Sequence, residues 1–263
     1  MSVAALQDEV VYEDSDGRRI SDNTLQFRWI MTLQGGLDAL FRADPNVFVA
    51  GDLLWYPVKG QPKVRAAPDA MVALGRPKGY RGSYKQWVEG GIAPQVVFEV
   101  LSPNNHAPEM RLKHAFYERH GVEEYYVYDP DHVTLAGYLR DRAGQLGEVP
   151  VVDGHVSPLL GIRFELAEEL MVYRPDGERF LTYVELVERA EENQLEVARE
   201  RQATERERQA TERERQATER ERQATERERQ ATERERQAAA QATAALESLR
   251  AKLRAAGIDP DAV

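Results

Sequence analysis

The chain has 263 residues, with 45 acidic against 35 basic side chains and a formal charge of −10 at pH 7. There is no cysteine, which excludes disulfides and thiolate metal sites, and the five histidines are scattered without zinc-ligand spacing. The negative charge argues against loose, charge-driven binding to nucleic acid, so any such function needs a local basic surface.

No early segment reads as a signal peptide, and no apolar run is long enough to cross a bilayer. The expectation is a soluble, cytoplasmic protein. Tyr12-Glu13-Asp14-Ser15-Asp16-Gly17 is an acidic turn, in which Glu13 is either an accessory ligand or simply solvated. Ser21-Asp22 is placed to cap a helix whose apolar stripe is Leu25, Trp29, Leu33, Leu37 and Phe41, with a bend at Gly35-Gly36. Strands are predicted over Val47–Tyr56, Asp69–Leu74 and Val96–Leu101. A helix follows over Pro108–His120, with proline in its first turn and Gly121 as its stop. Glu124–Tyr128 reads as a strand ended by Asp129-Pro130. Shorter strands near Val133–Leu139, Arg163–Leu166 and Met171–Tyr173 complete a mixed α/β domain over residues 1–192. A helix from about Thr182 leads out of it.

Residues 193–263 differ in kind. From Arg201 to Glu235 the heptad Arg-Gln-Ala-Thr-Glu-Arg-Glu repeats five times without error, each copy charge-neutral. Its residues are good helix formers, and Arg201, Glu205, Arg208, Glu212 and their successors set opposite charges three or four residues apart. This predicts a long helix of roughly 50 Å over the repeat, at about 1.5 Å per residue. A coiled-coil seam needs apolar a and d positions, and here it would hold Ala with Thr or Gln. The expectation is a solvated single helix or a weak coiled coil. Leu246, Leu249 and Leu253 form the apolar stripe beyond the repeat, where a homodimer contact would lie.

The chemistry is carried by Asp69, Glu99 and Lys113. Asp69 opens the apolar run Ala70-Met71-Val72-Ala73-Leu74, and Glu99 is the only charge in Val96-Val97-Phe98-Glu99-Val100-Leu101. A carboxylate inside a buried strand is costly unless a metal or a cation neutralises it. Strand alternation puts Val97, Glu99 and Leu101 on one face and Val96, Phe98 and Val100 on the other. Met110, Phe116 and Tyr117 fall within about 60° of Lys113 around its helix, so the lysine sits on the apolar face. A short loop, Ser102–Ala107, lets that helix pack on the Glu99 strand. Two readings fit: a Lys113–Glu99 ion pair with no chemistry, or a site for a hard divalent metal that cuts a phosphodiester. Asp69 has no evident basic partner, which favours the second. Removing either carboxylate is then expected to leave the domain folded. The segment Arg76–Trp87 carries four basic residues and three aromatics without an acid. Arg76, Lys78, Arg81, Tyr84, Lys85 and Trp87 there suit phosphate contact and base stacking, or equally an ordinary surface loop.

Taken in order, Ala67-Pro68-Asp69, Ser83–Gly90, Phe98-Glu99-Val100-Leu101-Ser102-Pro103, Lys113 with Phe116-Tyr117, and Gly121–Pro130 resemble the Uma-two family of putative restriction endonucleases. The resemblance covers Tyr12 to Asp129, and more weakly extends to Phe180. That family is similar to the PD-(D/E)xK nuclease superfamily. The likeness implies a restriction-endonuclease-like mixed β-sheet flanked by helices, here followed by a long C-terminal helix. It also implies Mg²⁺ or Mn²⁺ bound by Asp69 and Glu99, with the Val100 carbonyl as a third ligand and DNA as substrate. Lys113 would orient the attacking water and steady developing phosphorane charge. The superfamily's lysine usually lies two residues after the second acid, where this chain has Leu101. Lys113 would fill the role from the next helix. The alternative is an inactive nuclease-fold scaffold that works through its helical tail.

Overall fold

Side-chain alternation along the central strands builds two cores, one on each face of a six-stranded sheet. The computed structural model describes residues 10–15, 17, 21–255 and 257; Asp16 of the acidic turn lies outside the described residues. The elements in chain order are α1 (Thr24–Leu40), β1 (Val47–Ala50), β2 (Trp55–Tyr56), β3 (Ala70–Leu74), β4 (Tyr84–Lys85), β5 (Val96–Val100), α2 (Ala107–His120), β6 (Glu124–Asp129), β7 (Thr134–Arg140), β8 (Leu146–Glu148), β9 (Arg163–Leu166), β10 (Leu170–Tyr173) and α3 (Tyr183–Ala255). The main sheet has the order β1-β3-β5-β6-β7-β8, and β9–β10 and β2–β4 form separate pairs. The expected mixed α/β sheet with helices and a long C-terminal helix is what the chain forms.

Within the main sheet β5 and β6 pair in parallel, while the remaining neighbours are antiparallel. A parallel pair needs a crossover, and α2 is that crossover. On one face Val72, Val96, Phe98, Val100, Tyr126 and Tyr128 pack with Trp29, Leu33 and Leu37 of α1. On the other, Met71, Ala73, Val97 and Tyr125 pack with Tyr117 of α2 and with Trp55 and Tyr84. Pro108 lies in the first turn of α2, and Gly121 ends it in the left-handed region at φ 98°.

Three local expectations are corrected. The cap of α1 is Asn23, whose Oδ1 accepts the Gln26 amide N–H at 2.8 Å; Asp22 instead accepts from the Ser102 hydroxyl at 2.6 Å. Gly35-Gly36 does not break α1. Glycine is needed at 36 because a Cβ there would collide with the Phe180 ring. The single strand expected over 47–56 is two. Asp52, at φ 47°, donates its N–H to the Pro68 carbonyl at 3.0 Å and turns the chain out of the main sheet. Strand β8 was not anticipated, since Leu-Gly-Glu has little strand propensity.

The chain divides after Glu188 into two compact units. The second is helical, and no residue of α3 is buried. Its repeat makes regular Gln-to-Glu side-chain bonds one turn apart, as from Gln216 to Glu212 and from Gln223 to Glu219, both at 3.0 Å. Thr204, Thr218, Thr225 and Thr232 bond back through their hydroxyls to a carbonyl four residues earlier, as Thr218 does to Glu214 at 3.0 Å. Among the described residues, no helix is long and apolar enough to cross a membrane.

A peptide spanning 189–255 should melt broadly and lose helicity as salt screens its charge pairs, followed by circular dichroism at 222 nm. A sharp, concentration-dependent transition would instead mean a true coiled coil.

Candidate active site

Asp69 and Glu99 meet because of strand parity. Met71 and Ala73 of β3 face α2, so Asp69, just before β3, points to that same face. Val97 of β5 faces the same way, and Glu99 with it. The strands are antiparallel neighbours with Ala70 opposite Phe98, which sets the two acids side by side. Both are buried, with 8% of Asp69 and 2% of Glu99 exposed.

Helix α2 supplies the cation. Lys113 Nζ lies 2.7 Å from Glu99 Oε2, with a quarter of its side chain exposed (25%). One turn on, the Tyr117 hydroxyl donates to Glu99 Oε1 at 2.5 Å. Tyr117 is fully buried and stacks against Trp55, with ring centroids 6.3 Å apart. Both oxygens of Glu99 are thus held by one helix. Asp69 Oδ2 accepts the Val100 N–H at 2.6 Å. The Val100 carbonyl leaves the same edge of β5 and accepts from Gln26 Nε2 of α1 at 2.8 Å.

The electrostatics follow from this geometry. Burial first, and then the neighbouring Glu99 carboxylate, hold the Asp69 carboxyl well above the usual carboxylate range. Lys113 and the Val100 N–H pull the other way without cancelling this. Burial on its own lowers the Lys113 ammonium, but Glu99 and Asp69 outweigh it, and the net direction is upward. Lys113 is therefore charged at neutral pH and cannot serve as a base. Burial and then Glu99 push the Tyr117 phenol far up, so it remains a donor.

Two like-charged buried carboxylates beside a carbonyl are a hard oxygen donor set. Such a set suits Mg²⁺ or Mn²⁺, with water and a substrate phosphate completing the coordination. A dication would supply the positive charge that a proton on Asp69 otherwise provides. Among the described residues, no group of three or more His, Cys, Asp or Glu side chains forms a closed metal cage. Asp69 and Lys113 line an open groove of about 860 Å³, together with Gln26, Lys63, Arg65 and Phe116.

The Arg76–Trp87 segment lies elsewhere. Arg76 and Arg81 both pair with Glu89, at 3.1 and 2.7 Å, and Arg81 also stacks on Phe48. Lys78 pairs with Asp38 at 3.2 Å. Tyr84 is buried and donates to the Ile92 carbonyl, while Lys85 and Trp87 both pack on Tyr12. None of these six residues lines the groove. Glu13 pairs with Arg65 at 2.6 Å.

The sequence reading did not assign roles to Tyr117, Gln26, Lys63 and Arg65. The signal for Tyr117 was present, because it follows Lys113 by four residues on one helical face. Gln26 was a polar residue inside an apolar stripe. Lys63 and Arg65 carry no pattern of their own.

A family model, Uma2, described as "Putative restriction endonuclease", matches residues 8–170. A comparison with curated proteins found no match. Among solved structures, the chain is similar to one from Anabaena variabilis, described as "a putative nuclease belonging to DUF820". The identity is 14% and the TM-score 0.38, with 52% of this chain and 72% of that one covered.

The site separates the two acids in stability. With its proton held more tightly in the folded state, Asp69 makes the folded chain bind more protons than the unfolded chain above the ordinary carboxylate range. Stability in metal-free buffer therefore falls as pH rises from the unfolded-state pKa through the raised folded one. Asp69→Asn should remove that slope and, above the window, melt higher than the parent by about 2 °C or more, the shift worth roughly 1 kcal/mol in a domain of this size. Glu99→Ala strands Lys113 and the Tyr117 hydroxyl and should cost about 3 kcal/mol, the low end for a broken buried pair because Lys113 is partly exposed. For Glu99 this differs from the expectation that removing either acid leaves the domain's stability unchanged or raised. Melting curves against pH check both, and an Asp69→Asn protein that keeps the parent's slope would remove Asp69 as its source.

Proposed function

The chain belongs to the Uma2 family, and we propose that it is a metal-dependent endonuclease of the PD-(D/E)xK type, hydrolysing phosphodiester bonds of DNA. The observation that carries this reading is the meeting of Asp69, Glu99 and Lys113, from two adjacent strands and the crossover helix between β5 and β6, beside an open groove. A structural ion pair alone needs only Glu99 and Lys113. It leaves Asp69, buried next to a second carboxylate, without a reason.

A divalent ion held by Asp69, Glu99 and the Val100 carbonyl would supply Lewis-acid polarisation of the phosphate and a water of lowered pKa. The protein's own groups do the rest. The Val100 N–H fixes the Asp69 carboxylate, and Gln26 fixes the Val100 carbonyl. Tyr117 and Lys113 fix both oxygens of Glu99. Lys113 reaches the groove lining as an ammonium, so its role is to stabilise negative charge on the phosphate and to orient a water by donation. Leu101, where the superfamily pattern has its lysine, ends the strand with its N–H on the Tyr128 carbonyl at 2.8 Å. Lys113 meets Glu99 from the helix instead, which supports the moved-lysine assignment.

The helical unit is assigned to self-association or partner binding through Leu246, Leu249 and Leu253. A chain ending at Asn193 should keep metal-dependent nicking of supercoiled plasmid; a folded truncation without it would give the tail a part in catalysis. Lys113→Ala should keep Mn²⁺ binding by calorimetry and lose roughly 10²–10³ in cleavage rate. Lys113→Arg should not recover it, because a planar fork cannot replace a compact ammonium there. Parental cleavage by Lys113→Ala would remove the lysine from the mechanism.

A further inference from the structure

An acidic protein that acts on a polyanion must admit it somewhere, and the groove lining shows where. Besides Lys113, the cations among its described lining residues are Lys63 and Arg65, and Asp22, Asp52, Asp69 and Glu109 line it too. Among the described residues, Lys63, Arg65 and Lys113 are the groove's sources of attraction for a phosphate backbone. Lys63 is exposed and, among the described residues, makes no hydrogen bond or ion pair. Arg65 is half-buried and tied to Glu13 at 2.6 Å and to the Tyr56 hydroxyl at 3.1 Å.

Both cations sit on one hairpin-like loop closed by a single bridge. Trp55 and Ala66 exchange two backbone hydrogen bonds, of 2.7 and 3.2 Å, that close its base. At its far end the Val64 N–H donates to the Gln61 carbonyl at 3.0 Å, and the Gly60 N–H donates to the Tyr12 hydroxyl. The chain then runs through Ala67 and Pro68 to Asp69, just before β3. The backbone that carries both cations is thereby tied beside the groove. The basic cluster at Arg76–Lys85 stands off the groove, and its two arginines share the carboxylate of Glu89.

We propose that the 55–66 hairpin is the phosphate-binding wall of the groove. Lys63 contacts a backbone phosphate of a nucleic acid flanking the one cleaved, and Arg65 anchors the hairpin against the Glu13 segment. This rests on the nuclease reading. It assigns substrate contact to Lys63 rather than to Arg76, Lys78, Arg81, Tyr84, Lys85 or Trp87.

The test uses the full chain and a fluorescent DNA duplex, with anisotropy measured in Ca²⁺ over roughly 50–200 mM salt, the range in which phosphate contacts show themselves. Lys63→Ala should lower the slope of log affinity against log salt by about 1 and weaken binding equally for unrelated sequences. Lys63→Glu should weaken it further, by roughly tenfold or more. Both variants should bind Mn²⁺ as the parent does, which separates substrate contact from damage to the site. Lys78→Ala should match the parent throughout. If the parent binds DNA and the Lys63 variants bind it equally well, the hairpin assignment is overturned and the nuclease reading survives. If the parent neither binds nor cuts DNA, both fall.

Discussion

The structure depends on burying two carboxylates side by side on one face of a sheet. Asp69 and Glu99 come from neighbouring antiparallel strands whose other side chains are apolar, so nothing local offers them water. Such a pair cannot stay doubly charged without help, because like charges at close range in a desolvated site repel strongly. The fold supplies that help unequally. Glu99 receives an ammonium and a phenol, while Asp69 receives one backbone N–H. That asymmetry sets them apart: both oxygens of Glu99 are partnered by α2, whereas burial and Glu99 hold the Asp69 carboxyl above its usual range.

The rest of the domain can be read as a support for this arrangement. The face of the sheet away from the acids is closed by α1 and by the β9–β10 pair, giving a continuous apolar layer. Glu124, buried on that side, accepts from Tyr126 at 3.0 Å, from the Leu159 N–H at 2.7 Å, and from the Ser157 hydroxyl. These bonds tie the segment before β9 to the sheet. With one face fully packed, β3 and β5 are held in register, and register is what puts both acids on the same side. A one-residue slip of β3 would turn Asp69 into the α1 core.

Much of this was legible because it rests on short-range periodicity. Alternation along Val96–Val100 places Glu99 opposite Phe98 and Val100, and the helical repeat places Lys113 and Tyr117 together. Both could be read from neighbours in the chain. Long-range and tertiary effects could not. Gln26 reaches Val100 across 74 positions. The basic segment at Arg76–Lys85 has the composition of a nucleic-acid contact, yet Arg76 and Arg81 share Glu89 and Lys78 meets Asp38, pairings that no local pattern reveals. Lys63 has the reverse history. It is a single lysine in an undistinguished loop, and it becomes notable only because the Trp55–Ala66 bridge fixes the loop beside the groove.

The position of Lys113 on a helix, not on the strand of Glu99, has structural consequences. A lysine two residues beyond Glu99 would share its strand, and its position would follow from β5 alone. On α2 it shares a helix with Tyr117, so one rigid element grips both oxygens of Glu99, and any shift of that helix moves the cation and the carboxylate together. The helix is also the crossover that makes β5 and β6 parallel neighbours, so its placement is bound to the central pairing of the sheet. The site is therefore coupled to the topology rather than to a loop. A four-carbon stem allows Nζ to reach from the helix, while the apolar face around Met110, Phe116 and Tyr117 determines which way it reaches. Residues far apart in the chain can thus keep their charges close together.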